Sequence, residues 1–128
     1  MASARSKLKR AIDTVFSQYI RKRDANFNGW VECCTCGKPE HWEDVDAGHF
    51  QLRDRMATRY DEQNVHAQCR RCNRFRDGEQ FIMGQYIDQK YGEGVADRLR
   101  QKANKGAKLS MQDLQEIKTH FQKLLKTV

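Results

Sequence analysis

The chain has 128 residues, of which 38% are hydrophobic and 32% charged, with a formal net charge of +7, so the sequence predicts one domain whose modest core a structural metal would usefully supplement. No apolar run nears the roughly 18–20 residues of a membrane span, and the N-terminus lacks the apolar stretch of a signal peptide, which predicts an intracellular, reducing location. The positive balance points to polyanions, nucleic acid first, as partners.

Leu8, Ala11, Ile12, Val15, Phe16, Tyr19 and Ile20 recur at the three-and-four spacing of one helix face, predicting an amphipathic helix over 6–23. A turn over 24–29 then leads to a short strand, Trp30–Glu32, and a first knuckle containing Gly37 and Pro39. Residues 44–52 read as a second strand that runs into an arginine-rich loop over 53–60, and residues 64–68 as the returning strand. A second knuckle opens a helix or turn with Asn73 at its start. Three helical segments follow, over 79–91, 95–104 and 111–126, with glycines marking the first two ends. Ser110 and Asp113 have the spacing of a capping box for the last. The predicted class is α+β, in a single domain. An N-terminal helix (6–24) and a C-terminal helical part (93–128) flank a zinc-bound core (30–91).

Charge is unevenly spread. Residues 1–30 carry seven basic and two acidic side chains, residues 31–50 one and five, and residues 51–76 seven and three. An acidic strip between two basic ones suits a divalent-metal nuclease, in which carboxylates hold the ion and surrounding cations meet phosphate. A solvated acidic turn accounts equally well for Glu40 and Glu43.

Cys33 with Cys36 and Cys69 with Cys72 form two Cys-x-x-Cys pairs. Four thiolates so paired meet the tetrahedral demand of a structural Zn²⁺ and tie two distant stretches of chain together. Cys34 is left over, able to replace Cys33 only through the less usual one-residue spacing Cys34-Thr35-Cys36. Thirty-two residues separate Cys36 from Cys69, more than the roughly 15–20 of a simple zinc ribbon. The insert holds His49, Asn64 and His66, and Asn73 follows the last cysteine.

This order of knuckle, His49, Asn64 and Cys69-x-x-Cys72-Asn73 resembles the HNH, or His-Me finger, nucleases, in which a treble-clef-like ββα unit grips one catalytic metal. Four longer motifs narrow the likeness: Phe16-Ser17-x-Tyr19-Ile20-Arg21-x-Arg23-Asp24; Asp46-Ala47-Gly48-His49-Phe50; Arg59-Tyr60-Asp61-Glu62-x-Asn64-Val65-His66-Ala67-Gln68-Cys69; and Cys72-Asn73-Arg74-Phe75. Together they resemble the lambdoid phage NinG, or Rap, recombination proteins over roughly residues 16–91. The resemblance implies a Mg²⁺- or Mn²⁺-dependent endonuclease that cleaves branched DNA, such as Holliday junctions and D-loops, in the cytoplasm of a bacterial host.

Within that resemblance His49 is the expected general base, since an imidazole with a pKa near 6.5 can accept a proton from water at physiological pH. Asp46 and Asn73 are the expected ligands of the catalytic metal, offering oxygens to a hard cation. The broader HNH pattern often has a metal ligand immediately before the base, where this chain has Gly48. A turn or bulge at Gly48 is therefore expected to bring Asp46 round, with Asp61 in reserve. Asn64 matches the residue that fixes the loop orienting the base. His66 is expected to pack or bond beside the knuckle.

Arg53, Arg55, Arg59, Arg70, Arg71 and Arg74 are the expected DNA contacts, because guanidinium forks suit phosphate. Arg53 and Arg59 are expected nearest the scissile group. Paired cuts would require two active sites, so a homodimer is expected, with the apolar stripe of the first or the last helix as a candidate interface, although such stripes are more often intramolecular core. Two other readings are a non-catalytic zinc module that binds branched DNA and a protein adaptor built on the knuckle.

Overall fold

The apolar stripe of the N-terminal segment folds into α1 (Ala4–Arg23), capped by Ser3, whose side chain accepts from the Ser6 amide at 3.1 Å. In the computed structural model, which describes residues 2–128, this helix is the central support of a mixed α+β fold. Its buried residues Ile12, Phe16, Tyr19 and Ile20 meet Leu114 and Phe121 of α5 (Met111–Leu125) and Tyr60 and Val65 from the middle of the chain. Phe16 packs edge-on against Phe121 at 4.7 Å and against Tyr60 at 5.8 Å between ring centroids. Each fully buried large apolar side chain here contributes about 1.5–3 kcal/mol. The stripes of α1 and α5 thus cover each other within one chain, as intramolecular core and not as a dimer face. The Ser110–Asp113 capping box is formed, with bonds of 2.8 and 3.0 Å.

The strands make two small antiparallel pairs. β1 (Trp30–Glu32) pairs with β2 (Pro39–His41), a strand the sequence reading had not anticipated; the proline-led segment closes the first knuckle back on Trp30. β3 (Asp46–His49) pairs with β4 (Val65–Gln68) in continuous register, Asp46 opposite Gln68 and His49 opposite Val65. The strand expected over 44–52 is therefore shorter, with a 3₁₀ turn at Trp42–Asp44 before it. The bulge expected at Gly48 is not formed. Within the loop after β3, Met56–Arg59 makes a single helical turn, α2.

After the second knuckle the chain forms a π-helical turn, Arg71–Phe75, and Asn73 lies at its centre rather than at a helix start. Asp77, Gly78 and Glu79 then adopt positive φ of 50°, 77° and 48°, a left-handed arc that delays α3 to Gln80–Tyr91. α4 (Val95–Lys105) packs on α3, enclosing Met83, Ile87, Val95, Leu99 and Cys34. None of the helices among the described residues is long and apolar enough to cross a membrane.

Candidate active site and metal centre

The two knuckles meet. The sulfurs of Cys33, Cys36, Cys69 and Cys72 all lie within 4.8 Å of one another, with Cys36 and Cys69 at 3.7 Å. Tetrahedral Zn²⁺ with Zn–S bonds of about 2.3 Å requires S···S separations of about 3.8 Å, so this donor set fits a structural zinc. Backbone bonds shape both turns: the Gly37 amide reaches the Cys33 carbonyl at 2.8 Å, and the Cys72 amide points at the Cys69 sulfur at 3.4 Å. The geometry also decides between Cys33 and Cys34. Cys34 turns into the α3–α4 cluster, where burial pushes its thiol well above the ordinary range, while its amide bonds Ala67 of β4 at 3.1 Å.

β3 ends on His49. Its Nε2 lies 3.0 Å from the Arg59 carbonyl oxygen, an acceptor, so Nε2 carries the proton and donates, leaving Nδ1 as the basic nitrogen. Burial lowers the His49 pKa to about 4; the Arg59 carbonyl bond opposes this, and the nearby Arg53 charge reinforces it. His49 is therefore fully neutral at pH 7, a weaker base than the free imidazole of the sequence reading.

The loop between β3 and β4 is pinned from below by Asn64. Its amide nitrogen donates to the carbonyls of Gln51 and Thr58, both at 3.0 Å, and its oxygen accepts the Gln51 amide at 2.7 Å. Asn64 is fully buried; it positions the loop and touches no open surface. The Arg59 side chain is pinned in turn by Asp13 of α1, through bonds of 3.0 and 2.6 Å, and donates to the Arg53 carbonyl at 3.0 Å. A relay thus runs from Asp13 through Arg59 to the imidazole. Asp13 was missed in the sequence, where its signal was visible as the lone acid within α1.

A cleft of about 1090 Å³ brings His49, Asp46, Asn73, Arg53, Arg55, Arg70 and Arg74 together. Asp46 accepts from Arg74 through both carboxylate oxygens and from the Asn73 amide, each at 2.9 Å. Burial would raise its pKa, but the Arg74 and Asn73 bonds prevail and hold it below the usual carboxylate range. Strand alternation puts Asp46 on the same face of β3 as Gly48. A side chain at Gly48 would run into Gln68, a fully buried residue whose Oε1 is unpartnered and whose Nε2 donates to Gly78 and Thr35.

The structure sorts the expected site residues by position. Arg59 and Arg71 do not line the cleft: Arg59 is committed to Asp13, and Arg71 lies exposed outside it. Arg55 lines the cleft but also donates to Asn104 at 3.2 Å. Asp61, the reserve ligand, pairs with Lys102 at 2.7 Å away from the cleft. Arg21 of α1 does line the cleft, held by Ser17 and the Trp42 carbonyl; it went unassigned although it stood inside a quoted motif. His66 is fully buried between the Gln63 carbonyl at 2.9 Å and Arg23 at 3.1 Å, against the rings of Tyr86 and Tyr91.

The profile of the bacteriophage lambda NinG protein family matches residues 2–128. The chain belongs to this family. It is 27% identical to protein ninG of Escherichia phage 933W over 111 residues, covering 84% of this chain and 51% of that protein. Protein ninG of Salmonella phage P22 gives the same identity and coverage, and that of Escherichia phage lambda is 26% identical. This NinG-family chain thus spans about half the length of the curated relatives it matches. No solved structure matches it at a significant level.

Proposed function

We propose that the chain is a metal-dependent endonuclease of the HNH type, acting on branched DNA such as Holliday junctions and D-loops during phage recombination. β3, β4 and the following π turn form its ββα unit, stapled by the treble-clef-like zinc site. The single observation carrying this reading is a neutral His49, oriented through Nε2, on the same cleft as Asp46 and Asn73. Family membership supports it.

A Mg²⁺ or Mn²⁺ ion, when bound, would supply Lewis-acid stabilisation of charge at the phosphate. Asp46 and Asn73 fit such an ion. The Asn73 amide N–H donates to Asp46 at 2.9 Å, so the two side chains are adjacent, and Asn73 would turn its amide oxygen to the ion in place of that bond. His49 Nδ1 accepts the proton of the attacking water, while the Arg59 carbonyl holds the ring against rotation. Asn64 positions the loop, and does not act on substrate. Arg53, Arg55, Arg70 and Arg74 meet the phosphate backbone, which favours recognition by shape and charge over base sequence. Paired cuts would employ two copies of the chain, and the host cell cytoplasm is the expected location.

Cleavage of a labelled four-way junction and a matched linear duplex, with Mg²⁺ or Mn²⁺ and with EDTA, tests the proposal. Metal-dependent junction cutting is expected from the wild type and lost in His49→Ala, with zinc content and folding retained. Tight junction binding by both proteins with no cutting would instead make the chain a non-catalytic branched-DNA-binding accessory.

A further inference from the structure

Of six phenylalanines, Phe16 and Phe121 fill the core, whereas Phe75 and Phe81 are 81% and 79% exposed. Neither ring lines the cleft itself, but each directly follows a cleft-lining residue in the chain, Arg74 and Gln80. Phe75 ends the π turn that carries Asn73 and Arg74 into the cleft, and Phe81 is the second residue of α3, after the cleft-lining Gln80. Leu52, 62% exposed, lines the cleft from the β3–β4 loop. Single exposed apolar residues need no explanation, but two exposed rings that each adjoin a cleft-lining residue, with Leu52 exposed inside the cleft, are candidates for a binding surface.

The backbone between the two rings is strained. Asp77 and Glu79 lie in the left-handed region without glycine's freedom, and strain of this kind persists where surrounding structure enforces it. Two anchors do so. Cys72 is buried in the thiolate cluster just before Phe75, and the Gly78 carbonyl accepts from buried Gln68 at 2.8 Å. The rings therefore project from a fixed corner.

We infer that Phe75 and Phe81 stack on unpaired nucleobases, so that the cleft selects DNA with unstacked bases over uninterrupted duplex. The inference rests on the cleft being a DNA site and names what confers its preference. Charge complementarity identifies the occupant. Phe75 lies between Arg74 and Arg76 in the chain, and both are exposed. An apolar protein surface covering this ring would strip water from those guanidinium groups, whereas a nucleotide offers a π-face to the ring and a phosphate to the arginines. Bases within intact duplex are already stacked and present no face.

Fluorescence anisotropy with a four-way junction, a single strand and a matched duplex, in Ca²⁺ to prevent cutting, tests this, with 2-aminopurine placed beside the branch point. Phe75→Ala with Phe81→Ala should weaken junction and single-strand binding by about tenfold per ring. Duplex affinity and the salt dependence set by the arginines should be unchanged. The double Tyr variant should restore binding, and 2-aminopurine quenching should follow the rings. Equal weakening on junction and duplex, or no weakening, overturns the inference while leaving the DNA site standing. Loss of self-association on sedimentation, with DNA binding intact, would assign the rings to contact with a second copy. Failure of the wild type to bind any of the three DNAs would remove the DNA site itself. Zinc content and melting temperature verify folding of every variant.

Discussion

The Asp46 carboxylate is gripped by both ends of the Arg74 fork at 2.9 Å, with the Asn73 amide at the same distance. Arg74 is more than half exposed and rooted on a zinc-stapled turn. A cation reaching Asp46 must displace this guanidinium, and a displaced Arg74 is free to take a phosphate. Arg74→Ala should therefore strengthen Mn²⁺ binding in the absence of DNA, by up to about fivefold on the scale of a lost exposed ion pair. The same change should weaken DNA binding. Calorimetric Mn²⁺ titration and DNA anisotropy read the two effects separately; a fall in both affinities would show that Arg74 helps to build the cation site.

Asp13 lines the same cleft, 3.9 Å from Arg53, and secures Arg59, whose carbonyl orients His49. Asp13→Ala leaves a largely buried guanidinium unpaired, at a cost of about 1–3 kcal/mol in unfolding free energy. The turnover number should fall about tenfold, on the scale of a misplaced catalytic group, with KM nearly constant. Nitrogen NMR of the imidazole should show Nδ1–H tautomer appearing in the variant, which a purely stabilising role for Asp13 would not produce.

With His49 as the base of the proposed nuclease, its proton affinity sets the acid limb of the rate profile. Its pKa is lowered, burial being the main cause, to about 4. The neutral, competent form is therefore complete above about pH 5.5 and disappears only as the pH falls through 4. A free imidazole would already be half protonated near 6.5. Cleavage rates should accordingly stay level from pH 7.5 to 5.5 as far as His49 is concerned. A limb centred at 6.5 in kcat/KM, measured with zinc content checked at each pH, would contradict the buried setting of the ring.

Structural zinc typically contributes on the order of 10–16 kcal/mol, comparable to the roughly 5–15 kcal/mol that holds a small domain folded. Chelation, or Cys69→Ser, should release the β3–β4 pair and the π turn together and abolish cooperative melting. Cys34→Ala should retain stoichiometric zinc, because that thiol packs with Met83, Ile87 and Leu99. Its cost is limited to about 1–2 kcal/mol for removing a small buried group. Zinc loss in Cys34→Ala would contradict the Cys33, Cys36, Cys69, Cys72 set.

The long helices were legible because each carries its own stripe and stop: Ile12, Phe16 and Ile20 for α1, the Ser110 cap for α5, Gly92 and Gly106 at the ends of α3 and α4. The thiolate set was legible because two Cys-x-x-Cys pairs have few geometric solutions. β2 was not, since a three-residue strand led by Pro39 has no periodicity to read. The π turn was hidden for another reason. Its form follows from the way Cys69 and Cys72 must face their partners across the fold, and nothing in 71–75 alone announces it. Arginine type gave no hint of occupation either. Arg59 and Arg53 look equivalent in sequence, yet Asp13 holds the first closely, at 2.6 Å, and the second only loosely, at 3.9 Å, so that Arg53 stays 64% exposed.

Gly48 and Gln68 share one volume: a side chain on the first would overlap the second, whose amide also anchors Gly78 and Thr35. The two positions are consequently locked to an order of change. A carboxylate introduced at Gly48 while Gln68 is present must displace the Gln68 side chain, and with it the bond that anchors Gly78. Shrinking Gln68 first opens the space but releases the left-handed arc ahead of α3. Neither single step is neutral, so drift at either site is arrested by the other, and an engineer adding an acidic group beside His49 would have to alter both positions at once and supply a new support for Gly78.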